Sequence, residues 1–95
     1  MTTKIISFII RLILLVMTKR GRIAAIKKEP STIRYIFHPT VDEEKTALDG
    51  RPLFIRYIKN PSKEAQSFAI NQDVKAIKYI KNPTDEMSLL AKLIN

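Results

Sequence analysis

Three stretches of this chain superimpose without a gap at a spacing of 22 residues, and no other property limits its fold as tightly. The stretch IRYIFHPT begins at Ile33, IRYIKNPS at Ile55 and IKYIKNPT at Ile77. In that register Tyr35, Tyr57 and Tyr79 coincide, as do Ile36, Ile58 and Ile80, and Pro39, Pro61 and Pro83. An acid recurs at Asp42, Glu64 and Glu86, and an alanine at Ala47, Ala69 and Ala91. A unit this short cannot bury its own apolar face, so its copies must stack on one another.

Each unit reads as two short helices. Asn60-Pro61-Ser62 and Asn82-Pro83-Thr84 read as helix starts, with proline in the first turn, Asn or Ser/Thr capping, and the following acid at the positive end. Apolar spacing continues through Ala65, Phe68 and Ala69, and through Met87, Leu90 and Ala91. Asp49-Gly50-Arg51-Pro52 and Asn71-Gln72-Asp73 read as internal turns. The second helix carries Ile-x-Tyr-Ile and ends before the next proline, which disfavours helix in the residue ahead of it. The expected fold is all-α: helix-pair repeats stacked as a small solenoid, with units of about 18–39, 40–61, 62–83 and 84–95. An apolar helix over 1–17 precedes them. The leading unit is degenerate. Ala25, Ile26 and Pro30 keep the register, Leu14 stands where Ile36 would, and Met17 replaces the proline. The last unit stops after one helix, with Leu93 and Ile94 expected to close the stack.

The segments AIKYIKNPTDE and FIRYIKNPSKE resemble the short alanine- and tyrosine-bearing helical repeats of unknown function found in large phages, giant viruses and some microbial eukaryotes. The likeness covers roughly residues 30–95. It implies a stacked helical fold and a phage- or virus-encoded origin. It implies no particular chemistry.

The charge is lopsided. The net charge is +8, yet residues 1–28 hold Lys4, Arg11, Lys19, Arg20, Arg22, Lys27 and Lys28 with no acid at all. Beyond them the acids nearly balance the remaining basic residues. A near-neutral body with a basic N-terminal region favours a polyanionic partner, either nucleic acid or an anionic membrane. Cysteine is absent, which excludes disulfides, thiolate chemistry and the usual structural zinc sites.

Three features are candidates for function. The run IISFIIRLILLVM, Ile5 to Met17, covers about 20 Å as a helix against a hydrocarbon core of about 30 Å, and Arg11 interrupts it. It is too short to span. The first reading is an outer helix packed on the stack. The second is an interfacial membrane anchor through Ile5, Phe8, Ile9 and Leu12, assisted by nearby cations. The third is an extension outside the native protein, because translation from Met17 would omit it. The next feature is TKRGRIAAIKK, residues 18–28, where Lys19, Arg20, Arg22, Lys27 and Lys28 offer a grip for phosphates against the plainer reading of a solvated face. The last is a ladder: Arg34, Arg56 and Lys78 share one repeat position, each beside its tyrosine (Tyr35, Tyr57 and Tyr79), while Lys59 and Lys81 share another. A row of cations and phenol rings suits single-stranded RNA, although a tyrosine between isoleucines also serves a core.

Catalysis finds little footing. His38 aligns with Asn60 and Asn82 and reads as a helix-start residue, and Asp42, Glu43 and Glu44 read as first-turn acids facing the helix dipole. There is no glycine-rich phosphate loop and no metal-ligand spacing. No catalytic residue, metal or cofactor is expected. The expected function is a small non-enzymatic accessory protein binding RNA or a host protein–RNA complex in the host cytoplasm, with inhibition of a host factor as one outcome. A protein–protein module and a peripheral membrane protein are the alternatives, and homo-oligomerisation is compatible with each.

Overall fold

A computed structural model describes residues 2–94, and all the regular structure among them is helical. Five α-helices form: α1 (Thr2–Val16), α2 (Lys19–Lys28), α3 (Val41–Leu48), α4 (Lys63–Gln72) and α5 (Asp85–Ile94). Three 3₁₀ segments alternate with the last four: η1 (Pro30–Tyr35), η2 (Pro52–Tyr57) and η3 (Val74–Tyr79).

The helix starts carry the period. Thr18 Oγ1 accepts from the Gly21 amide at 3.1 Å and Thr40 Oγ1 from Glu43 at 3.2 Å; Ser62 Oγ accepts from Ala65 at 3.1 Å and Thr84 Oγ1 from Met87 at 3.2 Å. These hydroxyls stand 22 residues apart, and each satisfies an amide that the first helical turn leaves without a partner. The prolines therefore lie one residue before the cap, outside the helix, where a missing N–H costs nothing. His38 does not cap. It adopts a left-handed backbone, φ 58°, in the turn before Pro39 and Thr40.

The second element of each unit is a six-residue 3₁₀ segment rather than an α-helix. Pro30 and Pro39 bracket the first, and Pro52 and Pro61 the second, while the third opens on Val74 with no proline, so proline spacing alone does not set the 3₁₀ form. The stretch is rich in isoleucine and tyrosine, which lose side-chain freedom in a helix. Each segment closes with an amide of the conserved-register isoleucine: Ile36 to Ile33 O (3.2 Å), Ile58 to Ile55 O (3.1 Å) and Ile80 to Ile77 O (3.0 Å). That isoleucine is already extended, so Ile-x-Tyr-Ile marks the end of the element.

Core residues follow the same step. Ile26, Leu48 and Ile70 form one buried series, Ile33 and Ile55 another, and Leu14, Ile58 and Ile80 are buried in a third, in which Ile36 is half-buried. Ala47, Ala65 and Ala69 let the helices approach closely. α3 packs on both α2 and α4, and η2 packs on both η1 and η3. The resulting body measures 44 × 29 × 18 Å, and its radius of gyration of 14.3 Å exceeds the roughly 12 Å of a round chain this long.

Polar groups tie adjacent units together. Arg22 Nε donates to Glu43 Oε2 at 2.6 Å, while Glu43 Oε1 accepts from the Thr40 amide at 2.8 Å, completing a capping box. Glu44 accepts from both the amide and hydroxyl of Ser62, at 3.0 and 2.7 Å. Gln72 donates to Leu48 O at 2.8 Å and accepts from the Gly50 amide at 2.7 Å, so it caps the end of α3 from within α4. All three acids stand in the first turn of α3 as expected, but Glu43 and Glu44 are in addition buried linkers, and only Asp42 of that trio is exposed.

Both ends leave apolar surface open. α1 packs against η1 and buries only Leu14, whereas Ile5, Ile6, Phe8, Ile9, Leu12, Ile13, Leu15 and Val16 are each at least 46% exposed. It does pack on the end of the body, through Leu14 with Ser7, Ile10 and Met17 half-buried, but most of its apolar surface stays open. At the other end Leu93 and Ile94 are exposed, since α5 packs on η3 and Lys92 takes the step after Ile70. They do not close the stack.

Candidate polyanion-binding edge

Along the side formed by the 3₁₀ segments, the repeat places one cation between successive tyrosines. The Arg34 guanidinium carbon lies 4.8 Å from the centre of the Tyr35 ring and 6.0 Å from that of Tyr57. Arg56 repeats this arrangement at 4.9 Å from Tyr57 and 6.0 Å from Tyr79. Lys78 Nζ lies 5.2 Å from the Tyr79 ring. Arg34 and Arg56 each donate to the hydroxyl of the tyrosine that follows, the second at 2.9 Å. The row expected from the sequence is therefore continuous, in the order Tyr35, Arg34, Tyr57, Arg56, Tyr79, Lys78.

The contacts also revise its chemistry. Tyr57 and Tyr79 pack against the core on one side and carry guanidinium groups on their open surfaces, so their rings are not free platforms for bases. The tyrosines act as pedestals. A guanidinium stacked on a ring keeps most of its five N–H groups pointing outward while losing little freedom on binding a phosphate. Hydrogen bonding to Tyr57 first, and to Tyr79 second, holds the Arg56 guanidinium above its already high ordinary pKa.

Two grooves open beside this row, and they are copies of one another. The first, of about 340 Å³, is lined by Ile33, Arg34, Ile36, Phe37, His38, Pro39, Tyr57, Ile58, Lys59 and Asn60, together with Arg11. Adding 22 to each of the first ten positions gives Ile55, Arg56, Ile58, Lys59, Asn60, Pro61, Tyr79, Ile80, Lys81 and Asn82. With Gln66, these line the second groove, of about 440 Å³. Neither groove contains a carboxylate. Residues 30–41, 50–63 and 74–84 hold Arg34, Arg51, Arg56, Lys59, Lys63, Lys75, Lys78 and Lys81 and no acid; every acid of the chain lies on an α-helix or at its end. That segregation was overlooked in the sequence, although counting acids between successive prolines reveals it.

The α2 cluster fares differently. Lys19 pairs with Asp42 at 3.4 Å, and Arg22 is committed to buried Glu43. Arg20, Lys27 and Lys28 make no ion pair among the described residues, so three of the five expected phosphate ligands stay available there. A larger groove, about 750 Å³, runs over the α-helical side between Lys19, Lys27, Asp42, Lys45, Asp49, Arg51 and Phe68. Its charges are mixed, which suits a protein surface better than a run of phosphates. Among the described residues no three His, Asp or Glu side chains converge as metal ligands, and His38 is an exposed turn residue in edge contact with Phe37.

No protein family, curated protein or solved structure matches this chain.

Proposed function

We propose that this chain is a small solenoid of helix-pair repeats that binds a polyanion, RNA foremost, along its 3₁₀ edge and performs no chemistry itself. The observation that carries this reading is the pair of repeat-related grooves without a lining acid, one holding Arg34 and the other Arg56, with Lys78 next in the row beside Tyr79. A ligand with regularly spaced phosphates meets the same donors at each step. Arg11, Lys59 and Lys81 lie along the same grooves and extend the positive track. Affinity comes from phosphate contact and counterion release, with sequence preference a secondary matter. The resemblance to phage and giant-virus repeats adds a viral source, the host cytoplasm as the setting and a host protein–RNA complex as the target.

The test is fluorescence anisotropy with a labelled single-stranded RNA over a range of salt. The logarithm of affinity falls with the logarithm of salt at about −0.7 per phosphate contact. Replacing Arg34, Arg56 and Lys78 together by alanine should make the slope shallower by about 2. A flat salt dependence of the parent protein, or an unchanged slope in the triple variant, removes RNA from the 3₁₀ edge. The mixed groove over α2, α3 and α4 supports the second reading, a protein partner, for which the triple variant would leave capture of that partner intact.

A further inference from the structure

α1 presents an apolar half-cylinder that none of the described residues covers. At about 100° per residue, Ser7, Ile10, Leu14 and Met17 turn toward the body, where each is half-buried or buried. Lys4, Ser7 and Arg11 stand at i, i+3 and i+7 and make a polar stripe along one flank. The rest of the circumference is isoleucine, leucine, valine and Phe8, all exposed. Phe37, 74% exposed, continues this surface from the end of η1 and shares a cleft of about 410 Å³ with Phe8, Leu12 and Leu15.

Length and charge decide what covers it. No helix among the described residues is long and apolar enough to cross a membrane, and the 15 residues of α1 reach only about 22 Å. Lys4 and Arg11 flank this face, and no acid within residues 1–28 offsets them, so its rim is wholly basic. An anionic lipid surface supplies the missing charge. Arg20, at the start of α2, adds an exposed cation four residues beyond the end of α1.

We propose that α1 lies in the plane of an anionic bilayer surface, with Phe8, Leu12, Leu15 and Phe37 among the upper acyl chains and Lys4 and Arg11 at the lipid phosphates. Such helices sink about 5–10 Å into the headgroup boundary, and their binding scales with apolar area plus attraction to anionic lipid. This inference rests on α1 and Phe37 and stands whether or not RNA binds the 3₁₀ edge, with whose first groove it shares Arg11 and Phe37.

The chain contains no tryptophan, so Phe8→Trp in the full chain gives a single reporter. Its emission should shift to the blue on adding phosphatidylcholine vesicles that carry about a quarter phosphatidylserine, and far less with phosphatidylcholine alone. Replacing Phe8 and Leu12 together by serine should weaken vesicle flotation by about tenfold or more, with helical content retained by circular dichroism. The Arg34→Ala, Arg56→Ala, Lys78→Ala variant should float like the parent. Emission unchanged by anionic vesicles overturns the proposal. So does emission already blue in buffer from a species of twice the chain mass, which would make a second copy the cover, and so does undiminished flotation of the double serine variant.

Discussion

Removing Arg22 is the sharpest test of how the units are joined. Arg22→Met keeps the aliphatic stem but leaves the Glu43 carboxylate, whose side chain is 0% exposed, with only the Thr40 amide at 2.8 Å. A buried carboxylate that loses its cation costs about 3–5 kcal/mol. A chain of this length has a total stability of about 5–14 kcal/mol, so the loss is a large share of the whole. The Lys19–Asp42 pair joins the same two helices but is 62% and 72% exposed at 3.4 Å, which makes Lys19→Met an internal control costing under about 1 kcal/mol. Urea unfolding followed by far-ultraviolet circular dichroism measures both. The denaturant slope must stay constant, because a shallower one would mean that α2 detaches ahead of the rest. If Arg22→Met costs no more than Lys19→Met at unchanged slope, then Glu43 is not a buried charge held by Arg22. The account of how the first unit joins the second would fall with it.

Three further outcomes follow from single contacts. Glu44→Ala should cost about 2–4 kcal/mol in the same urea assay, because the Ser62 amide and hydroxyl both lose their carboxylate; a cost below 0.5 kcal/mol would contradict that geometry. Gln72→Ala removes the acceptor for the Gly50 amide and the donor to Leu48 O, and should cost about 1–2 kcal/mol, with hydrogen exchange at Gly50 accelerating markedly. Gly50→Ala should cost about 1–2 kcal/mol and Gly50→Asn less, since the strain comes from φ 73° while no atom lies within 4 Å of the added carbon; equal costs would point to crowding instead.

The 22-residue period was legible in the sequence, and the helix starts keep it, because Thr18, Thr40, Ser62 and Thr84 are the observed caps. The nature of the second element was not. Ile-x-Tyr-Ile fits several helical turns by periodicity, and the third segment is 3₁₀ without a proline at its start, so no proline pattern announces the tighter form. The adjacency of Arg34, Arg56 and Lys78 to their tyrosines was legible for the same reason the period was, since all three share one position of the repeat. What else each cation touches was not, since a side chain's partner depends on rotamer and on the neighbouring unit. Arg22 and Arg56 look equally free in a list of basic residues; one is locked to a buried carboxylate, while the other is propped on two tyrosine rings. For α1 the sequence left a packed outer helix and an exposed apolar anchor both open, and Ile5, Phe8, Ile9 and Leu12 are exposed. Only the missing layer opposite that flank makes it a surface.

The periodicity itself bears on the kind of function the chain can have. A catalytic centre needs different groups, an acid, a base and an electrostatic clamp, converging on one reacting atom. Here the repeat does the opposite, setting the same arginine or lysine, tyrosine and asparagine at successive points along an edge. A ligand gains from a second copy of a site only if it is itself repetitive, and then the second contact comes at high effective concentration. The shared 22-residue step of caps, core and cations means that the spacing of the grooves is fixed by the packing of Leu48 and Ile70 as much as by the arginines. Enlarging or shrinking that core, as in Leu48→Ala, should therefore alter binding of a two-groove ligand more than binding of a short fragment that fills one. Equal effects on long and short oligonucleotides, compared at equal folded fraction, would show that the two grooves act independently.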